Sequence, residues 1–428
     1  MSKNLSVKRT LFTGTLLLTA AGILSRFIGF FYKIFLSRTI GAEGLGIYQL
    51  IFPVMALCFS LTSAGIQTSV SRFVSSEIGK QNPAGARFYL LIGLILSVCL
   101  SVFTGLFMWN NSEFIAGSFL QEMRCAPLIK ILSFCYVPCS IHSCINGYYY
   151  GLKKALVPSL SQLAEQSARV GGVYLIYLVA QSNGRSIAIS DAVWGLVLGE
   201  FAGMLVSLSF IGFGACKGNI RKTTWSLLTM SFPLTLNRLT LNLFTTIENL
   251  LIPYQLKLFG YSSSDALSIY GILTGMAFAI IMFPTVLTSE AQAKHNDRLI
   301  REAIIKTTES CLLLGLLCTI GLLVLGDFIG NFIFKNALSA TFIVTMSWIC
   351  PFLYLGSTLN SIFHGLGKPS ITLFLNLFSC LIRILFIIFL IPVIGIKGYL
   401  TGLLISQIAL CVLALLWLYR LMKKGSSG

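Results

Sequence analysis

Long apolar stretches recur along almost the whole chain, and they restrict its fold more than any other feature. About twelve of them can cross the hydrocarbon core of a bilayer, which takes about 20 residues in a helix. They cover roughly 11–37, 44–75, 86–109, 126–150, 155–180, 187–214, 225–258, 264–289, 302–326, 339–364, 369–392 and 396–420. A transmembrane barrel would instead need short segments of alternating polarity. The sequence therefore predicts an all-α integral membrane protein with about twelve transmembrane helices.

The composition excludes the other broad classes of protein. Hydrophobic residues make up 56% of the chain and charged residues only 11%. A soluble globular protein carries about 25% charged residues. Disordered chains are poor in apolar residues and rich in charge, so disorder is excluded by the same figures.

The distribution of basic residues predicts the orientation in the membrane. If the N-terminus is cytoplasmic, most of the 31 Lys and Arg residues lie in cytoplasmic segments. This bias follows the positive-inside rule, so we expect a multi-pass plasma-membrane protein with both termini cytoplasmic. The net charge of +17 is dispersed over short segments that anionic lipid headgroups attract. That dispersal argues against nucleic-acid binding.

An internal repeat divides the chain into two similar halves. NGYYYGLKK at 146–154 matches NSIFHGLGK at 360–368, an offset of 214 residues. EGLGIY at 43–48 resembles DALSIY at 265–270, an offset of 222. Each half holds six predicted spans in the same order and orientation, which indicates a parallel repeat about an axis along the membrane normal.

The repeat predicts two six-helix lobes around a central cavity. We expect an N-lobe at 1–214, a cytoplasmic linker at 215–224, a C-lobe at 225–422 and a short tail at 423–428. Transporters of this architecture alternate access by rocking one lobe against the other.

Two cations interrupt the first predicted span. Arg26 and Lys33 are two helical turns apart and share a face with Gly22 and Gly29. Each charge costs roughly 2.5–3.5 kcal/mol at the centre of a membrane helix, and the span contains no acidic residue to pair with them. Such charges usually face a cavity and mark a substrate path. The alternative is that Lys33 extends to the outer interface.

The seventh predicted span is also polar on one side. Arg238, Asn242, Thr245 and Asn249 follow helical spacing, and Glu248 lies beside them. We expect this face to contribute to the cavity together with the first span. Arg238 lies nearer the cytoplasmic end, where its side chain could instead extend to the interface.

Five further charged residues lie within predicted spans and are secondary candidates. Glu165 and Arg169 are spaced i, i+4 and could neutralise each other. Arg383 corresponds to Arg169 at the offset of 214, but its own span holds no acid. Glu200 is an isolated carboxylate that either pairs with a cation or binds a proton, and Glu248 lies on the seventh span. For the arginines, structural and substrate roles both stay open.

No motif in the sequence indicates an enzyme, a cofactor or a metal. There is no P-loop, so direct coupling to ATP is not expected, and transport would use an H⁺ or Na⁺ gradient, the membrane potential or the substrate gradient. Cys135, Cys139, Cys144 and His142 lie close together in sequence, but their spacing matches no zinc pattern. We therefore expect no bound metal and treat His142 as an interior residue with its hydrogen bonds satisfied.

The segment LSRFIGFFYKIFLSRTIGAEGLGIYQL at 24–50, with its SR-x-x-GF core, carries a family resemblance. It resembles the polysaccharide-flippase branch of the multidrug/oligosaccharidyl-lipid/polysaccharide (MOP) exporter superfamily. Within that branch it is similar to the stage V sporulation protein B group, which is related to MurJ-type lipid II flippases. The resemblance implies two six-helix lobes, a V-shaped cavity and cargo carried on a polyprenyl diphosphate. It also implies that Arg26, at the motif arginine, helps to form a cationic cavity.

The sequence thus predicts a flippase that moves a lipid-linked glycan, such as a peptidoglycan or spore-cortex precursor, to the outer leaflet. The diphosphate would bind Arg26 and Lys33. The alternative is a multidrug and toxin exporter that exchanges organic cations for H⁺ or Na⁺, using Glu165, Glu200 or Glu248. A non-transporting membrane scaffold is a third alternative. Members of the resembled group commonly have fourteen spans, two more than we count here.

Overall fold

The structure is a computed structural model that describes residues 2–212, 214–282 and 300–425. Every regular element in these ranges is helical, which confirms the predicted all-α class. The end of the predicted eighth span, beyond residue 282, lies outside the described residues.

The helices of the first half follow the apolar stretches closely. They are α1 Ser2–Thr39, α2 Gly41–Leu50, α3 Phe52–Phe59, α4 Gly65–Gly79, α5 Pro83–Asn110, α6 Ser112–Phe114, α7 Ala126–Leu132, α8 Tyr136–Gly151, α9 Leu156–Ser182 and α10 Ile189–Ser209. Short π-helical segments at Ser60–Ala64 and Ile115–Phe119 and short 3₁₀ turns at Met123–Cys125 and Ser133–Cys135 join some of them. Several predicted spans are thus built from two or three shorter helices.

The helices of the second half repeat this pattern. They are α11 Ile220–Phe259, α12 Ser263–Gly271, α13 Phe278–Ile281, α14 Ile300–Phe328, α15 Ala337–Ser347, α16 Cys350–Gly365, α17 Pro369–Ile394 and α18 Ile396–Gly425. Two π-helical segments, Ile272–Ala277 and Ile329–Ile333, interrupt them.

The count of membrane spans depends on the polar helices. Nine helices in the described ranges are long and apolar enough to cross a membrane, or ten if α15 and α16, which meet at 60°, form one bent span. The long helices α9 and α11 are not among them. They carry charged residues such as Glu165 and Glu248, which lower their mean hydropathy. A multi-pass membrane protein is confirmed, whereas the count of twelve stays a prediction.

The internal repeat is visible in the backbone as well as in the sequence. The π-helical segments Ile115–Phe119 and Ile329–Ile333 are offset by 214 residues, and so are the helices α8 and α16. Residues with positive φ recur at the same offset, Gln121 with Lys335 and Lys153 with Gly367. Left-handed backbone is uncommon for residues other than glycine. Its recurrence at equivalent places shows that the two halves share local geometry as well as helix order.

The described chain divides into two compact units. The first comprises Met1–Tyr32 and Leu50–Leu243, and the second comprises Lys33–Gln49 and Phe244–Gly428. The helices α1 and α11 therefore each contribute residues to both units. The lobe, linker and tail boundaries drawn from the sequence stay a prediction.

Small residues set the packing within the first unit. Gly147 and Gly151, both in the repeated motif, lie against the α4 backbone at Gln67 and Ser71. A Cβ on Gly147 would come within 2.5 Å of the Gln67 carbonyl oxygen, and one on Gly151 within 2.6 Å of the Ser71 carbonyl oxygen. Small residues four apart let membrane helices approach closely, so the motif glycines fix the α4–α8 contact.

In the second unit, the two similar segments EGLGIY and DALSIY pack against each other. Gly46 of α2 lies against the Leu267 backbone of α12, and Gly271 lies against the backbone at Ala42 and Gly46. A side chain at either glycine would collide with backbone atoms. This contact gives a physical reason for the glycine at position 46 of the GAEGLGIY segment.

Candidate functional site

The two cations of α1 differ in their exposure. Arg26 is exposed and Lys33 is half-buried. Gly22 and Gly29, on the same stripe, face open space, because a Cβ at either position would meet no atom of the described residues within 4 Å. This face of α1 is therefore open at the positions where the sequence predicted cargo binding. Cargo binding by Arg26 and Lys33 stays a prediction.

The polar residues of α11 differ in their surroundings. Arg238 is exposed. The Asn242 amide donates to the Ala56 carbonyl oxygen at 3.2 Å and to the Ser60 hydroxyl. Ser60 opens a π-helical segment, so Asn242 stabilises the local widening of that helix.

Asn249 takes part in hydrogen bonds of the second unit. It donates to the Thr245 carbonyl oxygen at 2.7 Å and accepts from the Tyr270 hydroxyl at 3.0 Å. Both Asn242 and Asn249 thus have structural partners, and their predicted role in cargo binding remains untested.

A buried charged cluster joins three helices of the first unit. The Arg169 guanidinium of α9 donates to Glu165 Oε1 at 2.6 Å, as the i, i+4 spacing predicted. Glu200 of α10 binds His142 of α8 through an Nε2···Oε2 contact of 2.7 Å, and its other oxygen lies 3.9 Å from Arg169 Nη2. Both are buried: the solvent-exposed fraction is 4% for Glu200 and 8% for His142. We call these four residues, with the adjacent Cys139, the first-unit cluster.

Sequence reasoning missed the central contact of this cluster. His142 was expected to be satisfied, and Glu200 had no assigned partner. In the structure each is the other's partner, although His142 Nδ1 is buried with no hydrogen-bond partner in the described part of the chain. Since 58 residues separate them, only helix packing brings them together.

The second unit contains a buried ion pair at the corresponding arginine. Arg383 of α17 binds Glu248 of α11 through two parallel hydrogen bonds of 2.7 and 2.9 Å. The Tyr399 hydroxyl donates to Glu248 Oε1 at 3.1 Å, the Cys380 thiol lies 3.4 Å from Oε2, and Arg383 also donates to Ser379 Oγ at 2.9 Å. We call the contact between Arg383 and Glu248 the second-unit pair; Tyr399, Cys380 and Ser379 are its hydrogen-bonded neighbours. A bidentate arginine–carboxylate contact is a strong form of hydrogen bonding, and here it saturates both carboxylate oxygens.

A third arginine contact holds the end of α1 within the second unit. Arg38 donates to the Ile333 carbonyl oxygen through Nε at 2.9 Å and through Nη2 at 2.6 Å, and to the Phe332 carbonyl oxygen at 3.2 Å. Carbonyl groups at the end of a helix lack intrahelical partners and attract cations. The sequence signal for this contact is a basic residue in the last turn of α1.

The chain matches the family model described as polysaccharide biosynthesis protein over residues 11–286. The chain belongs to this family. Two relatives come from Bacillus subtilis (strain 168). Stage V sporulation protein B is 26% identical over 91% of this chain and 80% of its own length. Lipid II flippase MurJ is 21% identical over 84% of this chain and 73% of its own length.

The comparison with solved structures shows the fold of the chain. An inward-facing multidrug resistance MATE family transporter of the MOP superfamily superposes with a TM-score of 0.73 over 92% of this chain and 93% of its own, at 16% identity. At that identity the likeness shows the fold. The family match thus shows that this chain is a member of the polysaccharide biosynthesis protein family, and the superposition shows that it shares the fold of this MATE transporter.

Proposed function

We propose that this protein moves a glycan linked to a polyprenyl diphosphate from the inner to the outer leaflet of the plasma membrane. One observation carries the proposal: Arg26 is exposed on the face of α1 that also carries Gly22 and Gly29, where an added Cβ would meet no atom of the described residues within 4 Å. Cations on an open face can bind an anionic cargo. The relative named lipid II flippase supports a cargo of this class.

The two α1 cations would bind the diphosphate in different ways. The planar guanidinium of Arg26 matches a phosphate group through two parallel hydrogen bonds, whereas the ammonium of Lys33 acts as a compact point charge. The exposed Arg238 of α11 is a further candidate contact. Energy would come from an H⁺ or Na⁺ gradient or from the membrane potential.

The pairing of the carboxylates gives less support to the alternative function, a multidrug exporter. Export of an organic cation needs an accessible acid inside a lobe. Glu248 has both oxygens bound by Arg383, while Glu165 and Glu200 bind Arg169 and His142. These pairings favour the flippase over the exporter, although a MATE transporter shares the fold.

Transport by an Arg26 variant tests the proposal directly. The protein would be reconstituted in vesicles that carry a short-chain polyprenyl-diphosphate sugar, and flipping would be followed by enzymatic access to the sugar. We expect Arg26→Ala to abolish flipping because the diphosphate loses its bidentate partner, and Arg26→Lys to retain a part. Arg185→Ala is the matched control, since Arg185 is an arginine in the connection between α9 and α10 that pairs with Asp191. Full activity of Arg26→Ala would refute the proposal, as would equal loss in the control.

The proposed topology can be tested with the exposed cysteine between α10 and α11. Cys216 lies in the segment that we expect to be cytoplasmic, and it is exposed. A membrane-impermeant maleimide should label Cys216 in inside-out vesicles but not in intact cells. Cys216→Ser should remove that label. Labelling in intact cells would show that this segment faces the outside, which contradicts the proposed orientation.

A further inference from the structure

Cys139, His142 and Glu200 bring three metal-binding atoms to one buried point of the first unit. The Cys139 Sγ, one ring nitrogen of His142 and one carboxylate oxygen of Glu200 all lie within 4.8 Å of one another. Cys139 and His142 are one helical turn apart on α8, and Glu200 approaches from α10. Ligands about 2.0–2.3 Å from a tetrahedral zinc lie closer together than 4.8 Å, so small side-chain movements suffice.

We propose that Cys139, His142 and Glu200 form a binding site for a divalent zinc-like metal ion. Thiolate, imidazole and carboxylate are the three protein ligand types of zinc, and three protein ligands leave one position for water. The spacing of Cys139 and His142 matched no zinc pattern by itself, because the third ligand, Glu200, lies far from this Cys-x-x-His pair in the chain. The inference is independent of the transported cargo.

The charges of the first-unit cluster support a cation there. Glu165 and Glu200 place two carboxyl groups near the single guanidinium of Arg169. Uncompensated charge is costly in a buried, low-dielectric site. A divalent ion would supply positive charge beside these carboxyl groups, and metal binding to a thiolate and an imidazole competes with protons.

The surroundings of His142 predict a labile site rather than a structural one. A metal-bound histidine usually donates its other ring nitrogen to a fixed partner, and loss of that partner costs about 10–100-fold in affinity. His142 Nδ1 has no such partner in the described part of the chain. Glu165 and Arg169 keep 18% and 14% of their side-chain surface exposed, which leaves one side of the cluster close to the surface. We therefore expect an exchangeable ion.

The second-unit pair supplies an internal control. Cys380 also lies beside a buried carboxylate and an arginine. Both oxygens of Glu248 are engaged by Arg383 and Tyr399, and in the described part of the chain the hydrogen-bonded neighbours of Glu248 include no histidine. This thiol therefore lacks a second and third metal ligand, and we expect no metal there.

Cobalt spectroscopy of the purified full-length protein in detergent tests the site. The exposed Cys99 and Cys216 would be replaced by Ser in every sample to lower background. Co²⁺ titration should give one equivalent of tetrahedral d–d bands with a thiolate charge-transfer band, which Zn²⁺ abolishes. The affinity should fall as the pH is lowered, because protons compete for His142 and the thiolate.

Three variants test whether Cys139 and His142 bind the cobalt ion. Cys139→Ala should lose the charge-transfer band, and His142→Gln should weaken Co²⁺ binding by tenfold or more, whereas Cys380→Ala should match the parent protein. Gel filtration and thermal unfolding would confirm that each variant is folded; if Cys139→Ala is not, His142→Gln alone carries the test. Absence of the band in the parent protein, or equal spectra in Cys139→Ala and Cys380→Ala, would overturn the proposal.

Discussion

Arg169 and Arg383 occupy equivalent positions in the two halves, yet their partners differ. Arg383 binds one carboxylate with two hydrogen bonds, so the second-unit pair is neutral and saturated. Arg169 binds Glu165 of its own helix and lies near Glu200, so the first-unit cluster holds one carboxylate in excess. The repeat has kept the buried cation and changed its counter-charges. A saturated pair suits a structural role, whereas an unbalanced cluster can accept a further cation.

Removal of the carboxylate of the second-unit pair should cause the largest loss of stability. Glu248→Ala leaves Arg383 buried without its carboxylate, and breaking a buried pair costs about 3–5 kcal/mol. We expect a large drop in the midpoint of thermal unfolding in detergent.

The double variant Glu248→Leu/Arg383→Met is the control for that loss. Replacing both members of a buried ion pair with apolar residues is often neutral. It should recover most of the stability. If the single and double variants unfold at the same temperature, the pair contributes packing rather than charge compensation.

The two buried sites should also differ in how their stability depends on pH once the arginine is removed. Arg169→Met leaves Glu165 and Glu200 as two neighbouring buried carboxylates with only His142 to compensate them. Protonation of either acid relieves their repulsion and desolvation, so the stability of this variant should rise as the pH falls from 8 to 5.

Arg383→Met provides the matched comparison. It leaves a single carboxylate, Glu248, that Tyr399 and Cys380 can still approach as donors. Its stability should change less over the same pH range. Equal pH profiles for the two variants, measured by thermal unfolding in detergent, would remove the distinction between the two sites.

The two sites also show how far the sequence could lead. The Glu165–Arg169 contact was predictable because helical spacing alone places both residues on one face. The His142–Glu200 and Glu248–Arg383 contacts join residues 58 and 135 positions apart, and their partners depend on helix packing. One signal was nevertheless available: a buried arginine without an acid in its own span requires an acid from another helix.

The fold was predictable to a similar degree. Apolar length identified most helices, and the repeated motif identified the two halves. The division of spans by π-helical segments was not predicted, since it depends on tertiary partners such as the Asn242 contact with Ser60. The polar helices α9 and α11 were identified although their charges lower their apolar signal.

The smallest expected effect concerns Arg38, an arginine that binds carbonyl groups instead of acids. Its three hydrogen bonds cap the end of the π-helical segment Ile329–Ile333. Because the side chain is exposed, Arg38→Ala should cost only about 1 kcal/mol. Hydrogen exchange should accelerate in the peptide that contains residues 329–336, while the equivalent peptide at 115–122 stays unchanged. Acceleration in both peptides would mean that Arg38 stabilises the whole protein. Its contribution would then be global, as we expect for the buried Arg383, and not local.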